Sequence, residues 1–183
     1  MKKLLVLLSV LLLSGCGRGD DGMERSMHLR TELLSKGCSF DAHVTADYGN
    51  KTYTFSAGCQ ADQKGNISFR VTKPESIAGI SGRVEAEGGK MVFDEAVLAF
   101  DLKAEGLPSP VSAPWVMMKA LRGGYVRSCG QEDGMIRLRI DDSFENDALH
   151  LDVWLQDGYP IRADIFEGNK RIMAMEIGSF EIG

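Results

Sequence analysis

The sequence is poor in the residues that carry most chemistry. Only three histidines occur in 183 residues. His28, His43 and His150 fall on three separate segments without metal-ligand spacing. There is no phosphate-cradling glycine loop, no Gly-x-Ser-x-Gly elbow and no dinucleotide fingerprint. No apolar run reaches the roughly 20 residues that a membrane-spanning helix needs. Lysine and arginine are nowhere clustered, and 21 basic residues stand against 26 acidic ones. An acidic chain without a basic patch is a poor match for nucleic acid and for a polybasic membrane contact. The acidic stretch Asp141 to Asp147 lacks the glycine and terminal glutamate of a calcium loop and reads as a solvated turn. Cys129 and His150 are the only pair that could be imagined as nucleophile and base, and a leftover thiol is far more often inert. The expectation is a non-enzyme with no cofactor, no metal and no nucleic-acid partner.

Cysteine is also sparse, with four in the chain, and the first has a setting of its own. Lys2 and Lys3 precede an apolar run from Leu4 to Leu13 in which Ser9 is the only polar residue, ending in Leu13-Ser14-Gly15-Cys16. A basic start and a short apolar stretch are the marks of an export signal. The ending resembles the lipobox of bacterial lipoproteins, which implies cleavage before Cys16 and acylation of that cysteine. Each buried CH₂ of a lipid contributes about 0.8 kcal/mol, so the several acyl chains of such an anchor would hold the protein on a membrane. The resemblance implies an extracytoplasmic, lipid-anchored protein of the cell envelope. Whether the cell membrane or the outer membrane holds it stays open; Gly17 occupies the place where some retained lipoproteins carry aspartate.

Three segments follow from this reading: a signal peptide at 1–15, the lipidated Cys16 with a flexible tether at 16–22, and a domain at 23–183. Removing the signal leaves 168 residues (183 minus 15) with 19 basic against 26 acidic side chains, a net charge of -7. That length suits one domain with a substantial core. The tether contains Arg18-Gly19-Asp20, an adhesion-type tripeptide that a Gly/Asp-rich linker produces by chance. Cys38, Cys59 and Cys129 remain, so at most one intramolecular bridge can form.

Periodicity outlines the domain. Residues 23–36 place Met27, Leu29, Leu33 and Leu34 near helical spacing, with Gly37 as a stop. Period two follows: Phe40, Ala42, Val44 and Ala46 on one side, then Tyr53, Phe55 and Ala57 after the turn at Asp47-Tyr48-Gly49-Asn50. A turn centred between Tyr48 and Gly49 pairs Phe40 with Ala57, Ala42 with Phe55 and Val44 with Tyr53. The same register sets Cys38 opposite Cys59, close enough for a disulfide in an oxidising compartment; two buried free thiols are the alternative. Further strands are expected at 67–73, 80–85, 90–94, 97–102, 136–140, 149–155, 161–166 and 171–177. Pro108, Pro110 and Pro114 keep 106–114 irregular, and a short helix runs from Trp115 to Leu121.

The phrases Gly65-Asn66-Ile67-Ser68-Phe69-Arg70-Val71-Thr72-Lys73-Pro74 and Asp157-Gly158-Tyr159-Pro160-Ile161-Arg162-Ala163, with the leading helix and hairpin, resemble the LolA/LolB lipoprotein-carrier superfamily. The resemblance spans roughly residues 23–182. It implies an α+β fold, a curved antiparallel sheet forming an unclosed half-barrel whose concave face is covered by helices. It also implies an apolar cavity for acyl chains, lined here by Leu29, Leu33, Phe40, Val44, Tyr53, Phe55, Phe69, Val71 and Trp115. The same residues could pack as a filled core. Two functions therefore stand: binding an acyl chain or other apolar ligand in lipid or lipoprotein trafficking, or acting as a sensor or scaffold for an envelope protein partner.

Overall fold

A computed structural model describes residues 20–93, 96–104, 107–145 and 148–183. The expected export signal, Cys16 and most of the expected tether lie outside them. Helix α1 covers Asp20–Ser35 and therefore begins inside the stretch expected to be tether. Gly22 is buried, and a Cβ placed there would sit 2.7 Å from the Cys129 sulfur. Gly22 is thus a packing residue, although its neighbours in sequence have the composition of a linker. The buried stripe of α1 is Gly22, Ser26, Leu29 and Leu33, a spacing of four, three and four that keeps one face inward.

Eleven strands follow in one sheet: β1 (Cys38–Asp47), β2 (Thr52–Ala61), β3 (Ile67–Lys73), β4 (Ser81–Glu85), β5 (Gly88–Phe93) and β6 (Ala96–Phe100), then β9 (Tyr125–Glu132), β10 (Met135–Asp141), β11 (Leu149–Gln156), β12 (Tyr159–Glu167) and β13 (Lys170–Ile182). Between the two groups lie a small pair, β7 (Lys103–Ala104) with β8 (Leu107–Pro108), a 3₁₀ turn at Pro110–Ser112 and helix α2 (Ala113–Gly123). The proline-rich segment is thus more regular than expected. Pro114 sits in the first turn of α2, where its missing N–H costs nothing. Strand β9 has no apolar alternation to announce it and is absent from the sequence-based expectation.

The strand order is β6-β5-β4-β3-β2-β1-β13-β12-β11-β10-β9, antiparallel throughout. The half-barrel expectation is corrected here: the sheet is open, its edges β6 and β9 do not meet, and it is not strongly curled. Width explains why the helices do not wrap it into a cup. Eleven strands at about 4.8 Å spacing span on the order of 50 Å, whereas a helix with its side chains covers about 10 Å. Helix α2 contacts α1, β10 and β12, while α1 contacts β9. The β4–β6 end is left largely uncovered, with Val97 66% and Leu98 56% exposed.

The β1–β2 register also differs from expectation. Phe40 faces Cys59, Ala42 faces Ala57, Val44 faces Phe55 and Ala46 faces Tyr53. The turn is centred one residue later than expected, with Tyr48 N–H donating to the Lys51 carbonyl at 3.0 Å. Gly49, at φ +91°, takes the first central position of that two-residue turn, which glycine fills without strain. Moving the centre by one residue slides the pairing by two, so every side chain keeps its face. Phe40, Val44, Phe55, Phe69 and Val71 still point into the core with Leu29 and Leu33.

The other face of the sheet's second half is built from charge. Asp152 is buried and receives Arg137 at 2.5 Å and Arg139 at 3.1 Å. Asp164 is buried between Arg162 at 2.7 Å and Arg171 at 3.2 Å. Trp154 lies between the guanidinium groups of Arg137 and Arg162, 5.1 and 4.5 Å from its ring centroid. These layers cover β11 on the side the helices do not reach.

Candidate functional site

An apolar depression opens at the turn end of the β1–β2 hairpin and has a volume of about 530 Å³. Tyr53 and Phe55 of β2 supply its floor, and Ile77, Pro108, Pro110 and Val111 its walls. Asn50, Lys51 and Ser109 stand among the polar lining residues. The volume lies within the roughly 300–1,000 Å³ typical of small-ligand sites. Two depressions of similar size are rimmed by charges of both signs. One includes Arg83, Glu85, Lys90 and Asp101; the other includes Asp41, Arg70 and Glu181 beside Phe40 and Phe69.

The groove wall is tied down by Tyr48. Its hydroxyl donates to the Pro108 carbonyl at 2.5 Å, and its ring centroid lies 6.2 Å from that of Tyr53. Burial, with Tyr53 nearby as a lesser cause, pushes the Tyr48 phenol up to about 12. The hydroxyl therefore stays protonated and able to donate across the ordinary pH range. Ser109 N–H donates to the Leu102 carbonyl at 2.7 Å. The first bond ties the proline segment to the β1–β2 turn, and the second closes that segment on itself.

The residues expected to line a cavity are divided by the structure. Leu29, Leu33, Phe40, Val44, Phe55, Phe69 and Val71 are buried in one packed cluster, with Trp115 half-buried against it. Phe40 stacks on Phe180 with ring centroids 5.5 Å apart. Phe69 lies across Gly82, where a Cβ would come within 2.8 Å of its ring. Only Tyr53, 44% exposed, and Phe55 reach the groove. The groove's other walls, Ile77 and Pro108 to Val111, escape a reading based on apolar periodicity. Their signal in the sequence is the unusual density of prolines, which does not say which strand the segment will cross.

Cys38 and Cys59 are free thiols. The register argument for a bridge between them fails, because Cys38 faces Ala61 and Cys59 faces Phe40. Burial pushes Cys38 up to about 11 and Cys59 up to about 12. Cys129 is half-buried, and burial raises it as well. It pairs with Leu138 on the helix-covered face. His150 points to the opposite face, against Asp141 at 2.6 Å, so the two do not form a nucleophile pair. Among the described residues, no group of three or more His, Cys, Asp or Glu could hold a metal ion, and no helix is long and apolar enough to cross a membrane.

No protein-family profile matches the chain, and no curated protein matches it. Solved structures do. An uncharacterised conserved protein from Thermus thermophilus is 11% identical over 88% of this chain and 87% of its own, with a TM-score of 0.49. A LolA superfamily protein from Nitrosomonas europaea is 7% identical over 86% and 93%, with a TM-score of 0.44. The lipoprotein LppX of Mycobacterium tuberculosis is 14% identical over 84% and 90%, with a TM-score of 0.38.

Proposed function

We propose that this chain is an envelope lipoprotein, anchored through lipid on Cys16, that binds the apolar part of a ligand in the groove between β2 and the proline segment. The observation that carries this reading is the groove itself: about 530 Å³, floored by Tyr53 and Phe55 and walled by Ile77, Pro108, Pro110 and Val111. Apolar lining with a few polar groups at one side is the composition of a small-ligand site. Binding there would serve transfer of a lipid, or of a lipoprotein's acyl chain, within the envelope. The site makes no bond and breaks none in this reading.

Native mass spectrometry of the protein with hexadecanol tests it. One alcohol per chain is the expected stoichiometry, lost in Val111→Asp with melting temperature retained. A protein that takes up no alcohol at any excess refutes it. The second reading, a scaffold for an envelope protein, is favoured by one specific feature: Leu29, Leu33, Phe40, Val44, Phe69 and Val71 lie in one packed core. An exposed apolar edge at Val97 and Leu98 would then be the contact.

A further inference from the structure

We propose that the groove selects single-chain amphiphiles with an anionic head, and that Lys51 is the residue that reads the head group. This rests on the groove being an apolar binding site.

Lys51 is the one charged residue among those lining the groove. No carboxylate pairs with it among the described residues, whereas six arginines of the sheet are engaged: Arg83, Arg127, Arg137, Arg139, Arg162 and Arg171 all have carboxylate partners. An unpaired cation at an apolar site is not a by-product of a basic surface, since the chain carries 26 acidic against 21 basic residues. The ammonium group is a donor only, so it discriminates by the charge of what it meets. Asn50 and Ser109 sit in the same lining and can complete the contacts of a carboxylate or phosphate head. Tyr48 is not available for this, because its hydroxyl is already committed to the Pro108 carbonyl. The volume of about 530 Å³ is in the lower half of the small-ligand range and suits one chain better than several. The ligand class is therefore a fatty acid or a similar one-chain anion, its tail on Tyr53 and Phe55 and its head at Lys51.

The experiment uses the full chain in neutral phosphatidylcholine vesicles, labelled with photoactivatable hexadecanoic acid or with the matching hexadecanol. Labelled peptides are identified by mass spectrometry, and half-saturating concentrations are compared. The acid is expected to label the peptides around 48–55 and 108–115 at about tenfold lower concentration than the alcohol, the scale of one charge-assisted contact at a partly exposed site. Lys51→Met brings the acid up to the alcohol's concentration and leaves the alcohol unchanged; Lys51→Arg keeps the preference. Equal labelling by acid and alcohol in the unaltered protein, or a preference that survives Lys51→Met, overturns the selectivity while the apolar groove stands. Absence of labelling at these peptides by either probe overturns both.

Discussion

Two neighbouring leucines in α1 give a sharp check on how the helix sits. Leu33 is 0% exposed, and Leu34, the next residue, is 53% exposed. The Leu33 carbonyl is also held by the Arg122 guanidinium, so the helix end is docked and cannot easily sink to fill a void. Leu33→Ala removes a fully enclosed side chain, and such changes cost about 2–5 kcal/mol. Taking about 3.5 kcal/mol as the middle of that range, a chain of this size loses roughly 7–14 °C of melting temperature, at about 2–4 °C per kcal/mol. Leu34→Ala removes a side chain already half in water and is expected to cost under about 0.5 kcal/mol. Urea and thermal unfolding of both variants, followed by circular dichroism, give the two values directly. Equal losses, or a larger loss at Leu34, would mean that α1 is rotated from the orientation described, and the packing against Cys129 and β9 would be wrong with it.

The remaining predictions concern charge. Cys38 and Cys59 are raised to about 11 and 12 by burial, so iodoacetamide at neutral pH is expected to label Cys129 first and those two only in urea, read by mass spectrometry. Because their folded values lie above the ordinary thiol value of about 8.5, the stability they contribute is complete below that pH and lost as pH rises through about 11 to 12. For Asp62, burial alone would push the carboxyl up, but hydrogen bonds from Asn66, Arg83 and Lys64 outweigh it and hold the group at about 2. Its contribution is therefore present above about 3.9 and lost as pH falls toward about 2; in Asp62→Asn the urea midpoint should vary less with pH across that window. Asp164→Ala strands Arg162 and Arg171 over a buried gap and is expected to cost about 1–3 kcal/mol, measured against the solvent-exposed Glu167→Ala, for which no loss is expected.

Most strands are legible in the sequence because their residues alternate. Ile67-Phe69-Val71 and the apolar positions of β1 and β2 appear on the faces their period assigns. Period two fixes a face but not a register, and for that reason the shift from Tyr48–Gly49 to Gly49–Asn50 shows only once backbone bonds are placed. Strand β9 hides because Tyr125, Arg127, Ser128 and Gln131 belong to an exposed edge with little to bury. The shape of the sheet is also illegible: whether eleven strands curl depends on twist and on how far two helices reach, and neither is written in a hydrophobic pattern. The site is half legible. Tyr53 and Phe55 stand out as apolar, but their separation from the buried Phe40 and Val44 depends on where the proline segment meets the β1–β2 hairpin. The charged layer around Trp154 gives no sequence signal, because Arg137, Arg139, Arg162 and Arg171 are scattered along the chain and meet only through strand pairing.

The centre of the sheet is where β1 meets β13, with Cys38 beside Ile182 and Ala46 beside Met173. The middle of the molecule is thus stitched from the first and last strands described. Within each half, β1 to β6 and β9 to β12, the strands can zip up by hairpins, neighbour against neighbour, as each new strand is made. The seam cannot, because its partners are separated by nearly the whole length of the domain, and such distant pairings are slow to form. A chain made with its beginning first therefore waits, holding two partial sheets whose inner edges are bare, until its closing residues arrive. The order of synthesis makes β13 the keystone, and a lesion there removes the centre of the protein rather than its margin.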